Sequence, residues 1–141
     1  MRLISAVAVT MILWGQSHAE LLAHHSFSAE FSEASQITVR GVINRIEWVN
    51  PHSVIYMDVN QVDGPPERWK IEAGSPNVLS RLGLSREALQ AGDEITIEGY
   101  RARDGSMFIG GRRLIFRDGR RVFIGLPASG ELDPSRPIQH R

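Results

Sequence analysis

Five histidines occur in this chain, and three of them stand where their side chains can do chemistry. His24 and His25 are adjacent, and His52 closes an Asn50-Pro51-His52 turn. Imidazole is the usual protein ligand for zinc, copper and nickel, and neighbouring histidines on a mobile segment can chelate one ion. There are no cysteines, which removes thiolate metal sites, disulfides and a cysteine nucleophile together. Any metal must then be held by histidine, methionine, carboxylates or a free amine. His24, His25 and His52 are therefore the candidate metal ligands, with copper or zinc as the ion.

Each of these residues also has a plain structural reading. A histidine pair beside an export boundary can be a solvated remnant, and a histidine after proline can cap a turn through its ring nitrogens. Trp48, His52 and Met57 form a second constellation, since a thioether and an imidazole under an indole face suit Cu(I). Met57, however, alternates with Ile55 and Val59, which assigns it to the core.

The basic residues raise a different possibility. Net charge is zero, yet residues 20–98 hold 12 acidic and 6 basic side chains, whereas residues 99–141 hold 4 and 9. A solvated face accounts for such a bias; so does a surface for an anionic partner. Arg101, Arg103 and Arg112 are the candidate partner-binding residues, facing an anionic glycan, lipid or protein. Tyr100 and Phe108 lie among these arginines, but export makes nucleic acid an unexpected partner.

Enzyme signatures are thin. The chain has no G-x-S-x-G, Walker loop or H-E-x-x-H motif. Glu47, Asp58 and Glu72 lie on strands without an obvious partner and read as surface carboxylates. The expectation is a non-enzymatic binding protein with no catalytic residues.

The elements that must position these groups follow from patterning. Met1-Arg2 and the apolar run Leu3–Trp14 form a signal peptide, because the run falls short of the roughly 20 residues that span a bilayer. The signal segment covers residues 1–23, with cleavage after Ala19 or after Ala23, and export to the periplasm is expected. The mature chain carries no second stretch of membrane length. Its composition, 42% hydrophobic and 23% charged, is that of a folded domain.

Residues 24–35 read as an extended arm that Phe27 and Phe31 could pin to the domain. From His24 to Gln36 it spans up to roughly 40 Å, enough to bring His24 or His25 back to His52. An OB-like β domain is expected over residues 36–126, and a loose tail over 127–141. The first strand runs from about Gln36 to Val49, with an apolar phase that slips beside Gly41 as at a β-bulge. Strands around Ile55–Val59 and Arg68–Ala73 follow. Ser75-Pro76 caps a short helix that stops at Gly83. Ile95 and Ile97 mark the next strand, and Asp104-Gly105 and Asp118-Gly119 are hairpin turns. The fold class is all-β with one short helix: a five- to six-stranded OB-like barrel in β-β-β-α-β-β order.

Several motifs carry a resemblance. They are Ala23-His24-His25-Ser26-Phe27, Glu47-Trp48-Val49-Asn50-Pro51-His52-Ser53, Gly74-Ser75-Pro76-Asn77 and Glu98-Gly99-Tyr100-Arg101-Ala102-Arg103-Asp104-Gly105. Together they resemble a bacterial family of small exported proteins classed as a domain of unknown function, over roughly residues 23–125. The resemblance implies a periplasmic OB-like barrel, and its pattern matches His24, His25 and His52. That family often places the histidine pair at the cleavage point, whereas here Ala19 is the better site by the local rule. Met57 is not part of the pattern.

Overall fold

In a computed structural model the chain is described over residues 27–125. The expected signal peptide (1–23), His24, His25 and the tail from 127 onward lie outside the described residues. A helical turn over residues 27–30 (α1) leads into six strands. These are β1 (Phe31–Glu47), β2 (Val54–Val59), β3 (Glu67–Glu72), β4 (Glu94–Ala102), β5 (Phe108–Phe116) and β6 (Arg121–Phe123). The helix α2 (Pro76–Arg81) sits between β3 and β4. The described residues thus contain two short helical elements where one was expected.

Neighbouring strands run β3-β2-β1-β4-β5-β6, and a further parallel pairing of β3 with β5 nearly closes the first five into a ring. All other pairings are antiparallel. The closing seam is short: Lys70 opposite Phe108, Ile71 opposite Ile109, Glu72 opposite Gly110.

β1 makes this geometry possible by serving two neighbours. Its first part pairs with β4 and its last part with β2, and Val42 is paired on both sides. Gly41 lies beside this crossing, facing inward. A Cβ there would run into the Asp58 carbonyl and lie 2.9 Å from Met57 Cε. The close approach needs a residue without a side chain.

The phase slip in β1 is real, but it is not at Gly41. Ile43 pairs with Met57 and Arg45 with Tyr56, so Asn44 is the extra residue. Before it, Ile37, Val39 and Ile43 point to the core; after it, Ile46 and Trp48 do. Val42, which shares the even-numbered spacing of Ile46 and Trp48, is 41% exposed. The strand also begins earlier than expected: Phe31 pairs with Ala102 and the ladder resumes at Gln36. The missed stretch has no period-2 alternation, because its tertiary anchor is a pair of phenylalanines rather than a hydrophobic face.

Inside the ring, Met57, Ile71, Ile97, Ile109 and Leu114 are completely buried. α2 and the loop after it add Leu79, Leu84 and Leu89 to the same core. The helix starts as expected: Ser75 Oγ accepts from Val78 N at 3.4 Å, and proline follows the cap. It ends before Gly83, whose φ of 85° suits glycine. A second, smaller cluster lies on the outer face of the barrel, made by Phe27, Phe31 and Ala102 with Tyr100 and Phe108 packed against them.

Candidate functional site

His52 sits in the loop joining β1 to β2, just after a cis Asn50–Pro51 bond. The next residue is held by backbone bonds that prolong the β2–β3 ladder: Ser53 N donates to Gly74 O at 3.1 Å, and Ala73 N donates to Ser53 O at 2.9 Å. Ser53 is wholly buried, on the same face as Ile55 and Met57, and its Oγ has no hydrogen-bond partner among the described residues. Alternation then places His52 on the outer face.

On that face His52 Nδ1 donates to a carboxylate oxygen of Glu72 near the end of β3. The His52 side chain is 40% exposed while that of Glu72 is only 14% exposed, so the imidazole is reachable and the carboxylate behind it is largely covered. Burial pushes the Glu72 carboxyl above the ordinary carboxylate range. The positive charge that His52 can carry pulls it back, Glu30 adds to the rise, and Lys70 opposes it. A carboxylate that accepts from Nδ1 fixes the ring and its tautomer, leaving Nε2 as the lone-pair nitrogen of the neutral imidazole. That is the arrangement found behind metal-bound histidines.

The first described residues reach the same spot from the other side of the seam. Glu72 is paired with Gly110, and the outer face of Gly110 is covered by phenylalanine rings. A Cβ on Gly110 would lie 2.7 Å from Phe27 Cε2 and 2.9 Å from Phe31 Cδ2. Phe31 in turn contacts Phe27 and Phe108, each with ring centroids 4.9 Å apart. Arg103 fastens α1 twice: its N–H donates to Glu30 O at 2.9 Å, and its Nε donates to Ser28 O at 2.8 Å. His25 and His24 are two and three residues before Phe27, a reach of at most about 7–11 Å from the docked residue.

A family model matches residues 12–111, well over half of the chain. The chain belongs to DUF6152, a family of unknown function. The matched span includes His24, His25, His52, Phe27 and Glu72, whereas Arg112 falls just beyond it. No curated protein and no solved structure matches the chain.

In this DUF6152 member, no group of three or more His, Cys, Asp or Glu side chains suited to a metal occurs among the described residues. His52 and Glu72 are a pair, and His24 and His25 lie outside the described residues. The Trp48–His52–Met57 constellation is not assembled. Met57 points into the core with no exposed surface, opposite to His52, and Trp48 packs on the core with the Arg86 guanidinium 5.6 Å from its ring.

The arginines are placed apart in their contacts. Arg101 donates to Gly105 O at 2.7 Å within its own turn, and its guanidinium lies 5.5 Å from the Trp69 ring. Arg103 holds α1. Arg112 is the extra residue of a bulge in β5 and lines a cleft of about 280 Å³ with Gln36, Thr38, Glu98 and Tyr100. Glu98 in that cleft is paired with Arg113 at 2.7 Å.

The carboxylates expected to lack partners all have them. Glu47 accepts from Tyr56 and pairs with Arg45, Asp58 pairs with Arg68 at 2.8 Å, and Glu72 holds His52. Glu72 is the site residue that sequence reading missed. The signal lay in the hairpin register, which sets Val54 opposite Glu72 and brings the residues just before Val54 alongside it.

Proposed function

We propose that this protein is a non-enzymatic binding protein of the periplasm that holds a divalent transition metal, copper or zinc, through His24, His25 and His52. The observation that carries the reading is the Nδ1 bond from His52 to Glu72, which orients an exposed imidazole with Nε2 as its donor atom. The docking of Phe27 on Gly110, the partner of Glu72, supports it, because Phe27 follows the histidine pair by two residues in the chain. The absence of cysteine and the burial of Met57 favour a borderline ion on nitrogen ligands over Cu(I). The apolar leader that ends before the histidine pair supports export.

Calorimetric titration of the mature protein with Zn(II) and with Cu(II) tests this. One ion is expected to bind per chain, with loss of that binding in His52→Ala. No binding at micromolar metal sinks the reading.

A further inference from the structure

We infer that the outer face of β1, β4 and β5 binds an acidic glycan, whose carboxylates meet two arginine-bearing clefts set in line along β4. Buried Val39, Ile95, Ile97 and Leu114 fix the inward side of these strands, so alternation turns their neighbours outward. Register then lines up Arg40, Thr96, Ile115 and Arg121 across β1, β4, β5 and β6, with Thr38, Glu98 and Arg113 in the next row. The first cleft, of about 230 Å³, has Arg40, Glu94, Thr96, Ile115 and Arg117 in its lining. The second is the cleft of about 280 Å³ that Gln36, Thr38, Glu98, Tyr100 and Arg112 line. Both follow one pattern, two arginines around one glutamate. Glu94 lies 2.8 Å from Arg40 and 4.0 Å from Arg117. Glu98 lies 2.7 Å from Arg113, with Arg112 in the same cleft. Neither cleft shares a residue with the His52–Glu72 pair.

Charge sets this face apart. Arg40, Arg112, Arg113, Arg117 and Arg121 stand there against Glu94 and Glu98. The outer face of β2, β3 and the end of β1 instead balances Arg45, Arg68 and Lys70 against Glu47, Asp58 and Glu72. Each cleft thus carries excess positive charge, and a guanidinium can take a carboxylate by two parallel hydrogen bonds. Thr38, Thr96 and Gln36 add hydroxyl and amide groups suited to the hydroxyls of a sugar. Glu94 and Glu98 are four residues apart on β4, roughly 13 Å, so a chain of several sugars spans both clefts. Other polyanions fit less well. A nucleic acid needs bare rings to stack on, but Tyr100 meets Phe27 edge-on at 6.1 Å and Phe116 lies under Arg120. A lipid surface needs apolar side chains to bury, and among the described exposed large apolar residues only Val42 stands on this face.

The mature protein is titrated with an oligogalacturonate and with its methyl ester, which keeps most hydroxyls and loses the charges. The acid is expected to bind, the ester is not, and added salt is expected to weaken the binding. Variants are first checked for a cooperative thermal transition. Arg117→Gln, at a side chain that is 83% exposed, is expected to weaken binding about fivefold. Arg112→Gln is expected to weaken it about tenfold. Arg45→Gln, on the balanced face, is expected to leave it unchanged. If Arg112→Gln does not fold, Arg40→Gln combined with Arg117→Gln takes its place. No binding of the acid at millimolar ligand, equal binding of acid and ester, or wild-type affinity in the folded cleft variants overturns the inference. A single-stranded oligonucleotide or anionic vesicles bound as tightly as the oligogalacturonate, through the same arginines, overturn the glycan as the ligand.

Discussion

Glu72 holds His52 by Nδ1 from a strand that pairs with the segment following the histidine, so the carboxylate and the ring are brought together by hairpin register rather than by the loop alone. Removing the carboxylate therefore frees the ring to rotate and to exchange tautomers. Glu72→Ala is expected to weaken Zn(II) or Cu(II) binding by about 10–100-fold. Glu72→Gln, which keeps an acceptor oxygen, is expected to fall between it and wild type. Ring ¹⁵N shifts of His52 provide an independent check: the proton is expected on Nδ1 in the wild type at neutral imidazole. Unchanged affinity and unchanged ring shifts in Glu72→Ala would remove Glu72 from the site.

Met57 belongs to the core. Its complete burial predicts that Met57→Ala costs about 2–5 kcal/mol of stability, with Met57→Leu costing less than about 1.5. Chemical denaturation measures this. Met57→Leu is expected to bind metal as the wild type does, and a selective loss of copper binding would restore the thioether to the site.

The crossing of β1 depends on a missing side chain. Gly41→Ala places a methyl group against the Asp58 carbonyl and Met57 Cε, and is expected to destabilise by about 1–3 kcal/mol. The readout is the urea midpoint, with the slope of the transition unchanged.

Acid affects the outer face of the β2–β3 hairpin. The Arg68 hydrogen bond to Asp58, together with its charge and the Asn44 amide, holds the Asp58 carboxyl below the ordinary aspartate range. A carboxyl lowered in the folded state contributes stability above its unfolded pKa and loses it as pH falls through the folded one. Both groups are solvent-exposed, so the effect is small and is best read directly. An NMR titration is expected to show Asp58 titrating below free aspartate, and moving up toward it in Arg68→Met. An Asp58 curve that Arg68→Met leaves in place would refute the pairing.

The barrel was legible because its determinants are local. Ser75-Pro76 capped a helix, Asp104-Gly105 and Asp118-Gly119 turned hairpins with positive φ at each glycine, and alternation marked Ile55, Met57 and Val59. The bulge was legible as a slip in phase but not in place. Val42 and Ile43 are both apolar, and only the pairing partners decide which of them faces inward. The site was half legible. His52 stood out by type and by its turn, whereas Glu72 looked like any outward strand carboxylate until the register of two strands was known. The packing of Phe27 on Gly110 was illegible for a similar reason: the two are distant in the chain, and nothing near either one announces the other.

The ring is fastened unevenly. Eight residue pairs join β1 to β4, but only three parallel pairs join β3 to β5. Local opening is easiest where few bonds must break. Hydrogen exchange at the seam, at Lys70 N for example, is therefore expected to run faster than at the centre of β1. The His52–Glu72 pair lies beside this join, with Gly110 under Phe27 across from Glu72. Should the proposed site take zinc, the amides beside His52 and Glu72 are expected to slow when zinc is added.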